Sequence, residues 1–319
     1  MSGTPSTSSS YSVLGGRRGA GSGAKFDLRI SLVVLTRAPS VFRPAVLGEF
    51  HSLGFDEVLC VETSRPRYDA VALVRSLPGL RIVDPGISTA ANPGMLVNLA
   101  AREASGEKIL VLWDDQSLPE AGLWTRIPRI WGDHRALAVV PELRDRSGRD
   151  LPSVRIPGLE QDRLKILSLG AEQDSVDTLF PPDYTALYDR ARFLRTGGFD
   201  PELSNPFWQR VDWGLRSLLW GESLVVARGF KVDYRSEAPL EDQTPDASYP
   251  RFFLRNLAVR HAGDHGVLPV SRFWAHARRS GLGLTEALAS FRRERGWVKT
   301  HRYRFKTDAR LLAELWGNP

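Results

Sequence analysis

The chain has 319 residues, is 42% hydrophobic and 25% charged, and carries a formal net charge of +6. That composition excludes a disordered polymer, a collagen-like repeat and a small disulfide scaffold. The length suits one large domain or two ordinary ones, and the single cysteine, Cys60, excludes an internal disulfide or a multi-cysteine metal site.

Residues 1–24 are rich in Ser, Gly and Thr, with no periodic apolar pattern. They cannot bury enough surface to offset ordering, so a disordered leader is expected. No apolar centre of a secretory signal stands in the first 25 residues. Order should begin near Lys25. The run Leu28–Thr36 is β-branched and long enough for a buried strand. Pro39 and Pro44 bracket the start of a helix running to Ser52. Asp56–Glu62 reads as a second strand, followed by a helix over Tyr68–Ser76 and a short strand at Leu80–Val83. Asn92–Ser105 reads as a helix with Pro93 in its first turn, where a missing N–H costs little. Gly106 ends it, and Lys108–Trp113 is the next buried strand. The longest apolar runs, Leu32–Leu35 and Ile109–Trp113, are strand-sized, whereas a membrane-spanning helix needs about 20 residues.

Strands alternating with helices imply a mostly parallel sheet covered on both faces. Ligands of such sheets sit beyond the carboxyl ends of the strands. Thr36, Arg37, Glu62, Thr63, Ser64, Asp84, Asp114, Asp115 and Gln116 are therefore the residues to inspect. Beyond Gly122 the pattern loosens. A helix is expected near Leu123–Trp131, a strand at Ala136–Pro141 and a polar excursion over Arg144–Gly158. Tyr184–Phe199 reads as a short strand, a short helix and a Gly-Gly stop. Trp208–Gly221 reads as an amphipathic helix and Ser223–Tyr234 as a closing strand or pair of strands. Ala238–Pro250 reads as an acidic linker. Helical segments are expected at about Phe252–Ala262, Ser271–Arg279, Leu284–Arg295 and Thr307–Trp316.

Asp114 and Asp115 directly follow a buried strand. Adjacent carboxylates repel unless a cation or a hydrogen-bond partner is near. Mg2+ and Mn2+ take oxygen ligands, commonly one or two carboxylates plus substrate phosphates. Asp212 sits on the amphipathic helix between Trp208 and Trp213. Apolar flanks raise a carboxylate's pKa and make it a better base; the alternative is that Asp212 caps or salt-bridges locally and both tryptophans are core. His261, Asp264 and His265 cluster after the linker, and Arg255 and Asn256 lie just before them.

The segments Asn98–Ser117 and Leu187–Gly221 together resemble the family 2 glycosyltransferases, which have the GT-A fold. Asn98, Ala104, Gly106, Glu107 and Ile109 match the family's helix-then-strand pattern ahead of its acidic motif. Gly197, Gly198, Phe199, Asp200, Asp212, Leu215, Arg216 and Gly221 match its later turn and helix. The resemblance covers roughly Leu28–Tyr234. It implies a Rossmann-like, mostly parallel sheet flanked by helices, with a helical C-terminal extension. It implies a catalytic domain over 25–237, with a nucleotide-binding half at about 25–120 and an acceptor half at about 121–237. A linker over 238–250 and a basic helical region over 251–319 complete the expected organisation.

The resemblance also assigns roles. Thr36, Arg37, Glu62, Asn98, Asp114 and Asp115 would bind a nucleotide-diphosphate sugar. Asp115 and Asp114 would hold Mg2+ or Mn2+, with His261 or His265 as late ligands. Asp212 would be the general base of an inverting transfer, with Trp208, Trp213 and Arg216 facing a glycan, lipid-linked or protein acceptor. The sequence departs from the family in three places. Glu62 stands where Asp is usual, Gln116 stands at a spaced acidic position, and Val211 replaces a Glu before the base.

Residues 250–319 hold 14 Lys/Arg against 5 Asp/Glu, an excess of +9, while the rest hold 29 against 32. The basic tail is expected either as a solvated helical surface or as an attractor for something anionic, including a membrane surface. A cytoplasmic enzyme, peripheral at the inner face of the membrane, is the location this suggests. Two other classes stay open. One is a non-catalytic sugar-nucleotide or glycan binder, suggested by Gln116 and Val211. The other is a nucleic-acid-binding protein using the tail, for which no recognised motif is visible.

Overall fold

The computed structural model describes residues 11–16, 28–37, 40–86, 92–119, 127, 129–132, 135–160 and 162–317. Strand β1 is Ser12–Leu14, antiparallel to Leu80–Asp84. This corrects the disorder expected for that part of the leader. Val13 packs into the core on one sheet face and Leu14 into the core on the other, so three residues cover an open edge. The remainder of the leader lies outside the described residues.

The first half then runs β2 (Ile30–Leu35), α1 (Arg43–Ser52), β3 (Glu57–Val61), α2 (Ala70–Ser76), β4 (Leu80–Asp84), α3 (Pro93–Glu103) and β5 (Lys108–Trp113). Asp69 caps α2 by accepting from the Ala72 N–H, and Asn92 caps α3 by accepting from Met95. β4, β3, β2 and β5 lie side by side and parallel. All six residues of β2 are buried because both faces are covered. Alternate residues feed two cores. Val33, Leu35, Leu59 and Val61 pack beneath α3, while Leu32, Val34, Val58 and Cys60 pack against Leu47 and Phe50 of α1. The register pairs Leu35 with Val61 and with Trp113. Thr36, Glu62 and Asp114 therefore leave the sheet at one level.

The second half comprises β6 (Gln116–Ser117), β7 (Ala138–Arg144), β8 (Val154–Glu160), β9 (Arg163–Leu169), β10 (Ser175–Asp177), β11 (Ala186–Asp189), α4 (Arg190–Arg195), α5 (Pro206–Leu219) and β12 (Leu224–Tyr234). The sheet has ten strands in the order β1-β4-β3-β2-β5-β11-β7-β12-β10, with β6 paired to the end of β12. β11 runs antiparallel to β5 and β7, which makes the sheet mixed. The polar excursion expected over Arg144–Gly158 holds the first strand of a β8–β9 hairpin. Most of the helix expected at Leu123–Trp131 lies outside the described residues.

The C-terminal region is α6 (Tyr249–Phe252) continued by a π-helical turn over Phe253–Leu257, then β13 (Arg260–Ala262), β14 (His265–Val267), α7 (Arg272–Ser280), α8 (Leu284–His301) and α9 (Ala309–Glu314). The helix expected to reach Ala262 thus gives way to a hairpin. Phe252, Phe253, Leu257, Phe291 and Phe305 share a third core with Val211, Leu215 and Leu219 of α5. Among the described residues no helix is long and apolar enough to cross a membrane.

Helix α5 is the join between these cores. A Cβ at Gly214 would lie 1.9 Å from the Leu179 carbonyl oxygen. Backbone cannot retreat as a flexible side chain can. Gly214→Ala is expected to destabilise the chain by about 1–3 kcal/mol or more, read as a lower urea midpoint at unchanged slope.

Candidate active site

The carboxyl ends of β2 and β5 open into a crevice of about 550 Å3. Its walls include Arg37 and Trp113 on one side, Asp183, Tyr184 and Tyr234 at the centre, and Arg210 of α5 and Arg155 of β8 opposite. Residues Ala238–Asp242 lie across it. The segment read as a linker is thus docked. Glu241 pairs with Arg210 at 2.8 Å and Arg155 at 3.1 Å. Asn205 donates to the Asp242 and Thr244 carbonyls, and Trp208 Nε1 donates to Thr244.

Four carboxylates meet at the crevice rim with two arginines among them. Arg43 of α1, only 1% exposed, donates through Nη1 to both Glu62 oxygens and through Nη2 to Asp114 at 2.7 Å. Tyr68 completes the shell of Glu62 at 2.8 Å. Arg37 donates through Nε to Asp115 at 2.8 Å and through Nη2 to Asp183. Its guanidinium lies 4.0 Å from the centre of the Trp113 ring. Burial alone would lower the Arg37 guanidinium, but Asp183 and Asp115 hold it above its ordinary value. Asp183 also accepts from Tyr234 at 2.8 Å, and burial pushes its carboxyl up against the pull of Arg37. Asp183 and Tyr184 both have φ in the left-handed region, at 50° and 62°. Such strain in side-chain-bearing residues clusters at functional sites.

The residues expected from sequence divide into two groups. Arg37 lines the crevice, and Asp114 and Asp115 stand beside it through their bonds to Arg37. Thr36 closes β2, but its hydroxyl is spent on the Val61 carbonyl. Glu62 is 2% exposed and enclosed by Arg43 and Tyr68, so it presents no free oxygen to a base. Asn98 is elsewhere. Both ends of its amide bind the Phe199 backbone, at 2.7 and 2.9 Å, and hold the Gly197–Gly198 turn. It is a fold residue, not a nucleotide ligand.

The expected base and acceptor set also needs correction. Asp212 is 1% exposed and points away from the crevice. Its Oδ2 accepts from Arg216 at 3.2–3.3 Å and its Oδ1 from Asn256 at 2.7 Å. Burial raises its pKa, but a base enclosed by its own partners cannot reach an acceptor hydroxyl. Arg216 binds the Thr196 and Gly198 carbonyls as well. Trp213 is fully buried among Tyr188, Phe193 and Phe199, and Trp208 packs in the third core edge-on to Tyr249 and tilted against Phe252. None of the three is available to an acceptor. Opposite faces of one helix separate the outcomes, because α5 presents Phe207 and Arg210 to the crevice and Asp212, two residues on, to its back.

His261 and His265 lie on the β13–β14 hairpin beside α8. His265 bonds Asp264 and approaches Tyr303, and the His261 N–H donates to Asp308. Neither joins the acidic rim. Arg255 pairs with Asp200 and Glu294, so it too is structural.

Mg2+ or Mn2+ was expected on Asp114 and Asp115. The oxygens that would ligate it are paired with Arg43, Arg37 and Ser236, and only Asp115 Oδ1, buried, lacks a partner. The Gln116 side-chain carbonyl, the other conceivable ligand, accepts from Trp113 N–H and the Thr185 hydroxyl at 3.0 Å each. No cluster of three His, Cys, Asp or Glu suited to a metal exists among the described residues. The folded donor set fits a guanidinium, not a divalent cation. Arg43, Asp183, Tyr234, Arg155, Arg210 and Glu241 are the site residues that sequence reasoning missed.

The sequence matches no family model and no curated protein. The fold is similar to that of GalNAc-T7 with UDP, GalNAc and Mn2+, at TM-score 0.52 and 11% identity, over 72% of this chain and 49% of that one. It is similar to residues 1–349 of S. aureus TarS at TM-score 0.50 and 15% identity, over 84% of this chain and 71% of that one. Against a longer S. aureus TarS structure the same TM-score and identity cover 43% of that chain. The chain thus spans about half the length of GalNAc-T7 and less than half of the longer TarS. These likenesses show a GT-A-like α/β fold.

Removing the Asp212 carboxylate strands Arg216 in the protein interior. Asp212→Ala is expected to lower the unfolding free energy by about 3–5 kcal/mol, measured by urea denaturation. A loss of turnover in that variant would then follow the loss of folded protein.

Proposed function

We propose that the crevice binds a nucleotide-diphosphate sugar and transfers its sugar to a hydroxyl acceptor. The observation that carries this reading is the meeting, in a GT-A-like fold, of Asp114, Asp115 and Asp183 with Arg37 at the strand ends beside a crevice lined by Trp113, Tyr184 and Tyr234. Aromatic walls suit a sugar ring, and a fixed cation suits a diphosphate.

Asp183 is the base in this reading. Its Oδ2 is held by Arg37 and Tyr234, its Oδ1 bonds no described residue, and burial keeps its carboxyl above the ordinary range. The acceptor hydroxyl gives its proton to Asp183 while its oxygen forms the new bond at the anomeric carbon. The bond from that carbon to the diphosphate breaks, and the electron pair leaves with the diphosphate. One direct displacement of this kind inverts the anomeric centre. Glycan, lipid-linked and protein hydroxyls remain the acceptor classes.

A second reading is a sugar-nucleotide binder of the same fold without transfer. It is favoured by the burial of Asp212 and by the use of Gln116 inside the fold. A panel of nucleotide sugars separates the two through binding and turnover. The transfer reading expects donor consumption that Asp183→Asn cuts about a hundredfold or more while donor binding persists. A base must be ionised, so turnover should fall as pH drops through the raised pKa of Asp183, and the variant should lose that limb. Tight donor binding with no consumption by the wild type, including with Mn2+, would leave the binder.

A further inference from the structure

We infer that Arg37 occupies the cation position of this site, so that the chain takes its nucleotide diphosphate without a divalent metal. The inference rests on the sugar-donor reading above and names how that site meets the diphosphate.

Three observations converge on Arg37. First, its side chain bridges Asp115, just after β5, to Asp183, so it stands between the carboxylates a metal would need. Second, it is fixed. Trp113 lies under the guanidinium plane, and the Trp113 Nε1–H is itself anchored on the Asp183 carbonyl at 2.7 Å. A guanidinium held through two of its nitrogens and packed over an indole keeps its geometry without a ligand. Third, it has capacity left. Two of its three nitrogens bind Asp115 and Asp183, while Nη1 bonds no described residue, and the side chain is 27% exposed along the crevice wall. Guanidinium groups bind phosphate oxygens through parallel N–H donors and never lose their charge near neutral pH.

The neighbouring residues agree. Gln116, next to the acidic pair, carries no charge, and its carbonyl is turned inward to Trp113 and Thr185. Arg43 removes Asp114 from any ligand set by pairing it with 1% of its own surface exposed. Arg37 and Arg43 together bring the formal charge of one divalent ion. Of these two, only Arg37 lines the crevice; Arg155 and Arg210, which also line it, are paired with Glu241.

Calorimetric titration of the full chain with UDP, GDP, CDP and dTDP, in EDTA and again in Mn2+, tests this. A titration of Mn2+ alone, followed by electron paramagnetic resonance, reads metal binding independently of any turnover. One of the diphosphates is expected to bind in EDTA with an affinity that Mn2+ leaves unchanged, and the protein is expected not to deplete the free Mn2+ signal. Arg37→Ala should weaken binding in EDTA by about tenfold or more. It should also acquire a Mn2+ site, because Asp115 and Asp183 lose their counter-charge. Arg37→Lys, which keeps charge but not the fork, should fall between. Thermal melts of both variants confirm that they remain folded. Wild-type binding that appears only with Mn2+, with bound Mn2+ lost in Asp115→Asn, overturns the inference and leaves the donor reading standing. Arg37→Ala equal to wild type in EDTA overturns it as well. If no nucleotide diphosphate binds in either buffer, the donor reading itself fails, and the inference with it.

Discussion

Charge cancellation at one edge of the sheet governs the site. Glu62, Asp114, Asp115 and Asp183 come from two strand ends and a turn, and four carboxylates at that density would repel. Arg43 answers two of them from inside the protein and Arg37 answers the other two from the crevice wall. A buried ion pair is not free stabilisation, because desolvation offsets much of its attraction unless every donor is used well. Arg43 offsets part of that cost by holding both Glu62 oxygens through Nη1 and Asp114 through Nη2. The same contacts fix α1 against the ends of β3 and β5. The left-handed backbone at Asp183 and Tyr184 is held by the Trp113 indole, by the Tyr188 hydroxyl on the Tyr184 carbonyl and by the Tyr184 hydroxyl on Gln209. The network that cancels charge also holds the strained turn.

Helix α5 divides the molecule by its faces. Phe207 and Arg210 look into the crevice. Trp213 and Arg216 close over the Thr196–Gly198 turn, and Asp212, Val211 and Leu215 meet the C-terminal region. Gln209 ties the helix to α3 through the Gly94 N–H and the Asn92 side chain. A Cβ at Gly94 would fall 2.2 Å from Gln209 Oε1, so the approach of the two helices depends on that glycine. Asp200 sits between Arg251 and Arg255, which in turn hold Glu294 of α8. The C-terminal helices are therefore part of the architecture that sets α5, and through α5 the crevice wall.

The legible part of the sequence was the part written in periodicity. The β-branched runs of β2, β3 and β5 and the capped helix at Asn92 declare themselves locally, and parallel connection then places Asp114 and Asp115 at the rim. Faces of α5 were not legible. The helix is buried almost all round, so amphipathicity does not say which stripe meets the ligand. Asp212 between two tryptophans reads as a poised base, yet its partner is Arg216 one turn on, a spacing equally typical of a structural pair. Asp183 and Arg43 were invisible for another reason. Their importance lies in contacts 146 and 71 residues apart in sequence, and no local pattern marks them.

The charge of the tail shows the same limit in another form. Its excess of +9 is a sum over residues, whereas a partner meets only what is left unpaired. Arg251 and Arg255 are spent on Asp200 and Glu294, Arg260 and Arg272 on Asp162, and Arg310 on Glu314. Asp162 and Asp200 lie outside the tail, so part of the excess compensates acids of the first 249 residues instead of facing solvent. Of what remains, Arg278 and Arg279 stand on α7, while Arg292, Arg295, Lys299 and Arg302, on α8 and the turn after it, line one groove with His265. Spacings of three, four and three residues place them on one helical stripe. Compositional charge thus resolves into an internal brace joining the C-terminal helices to the GT-A-like fold, and a narrower basic stripe on the side of α8 that faces the hairpin.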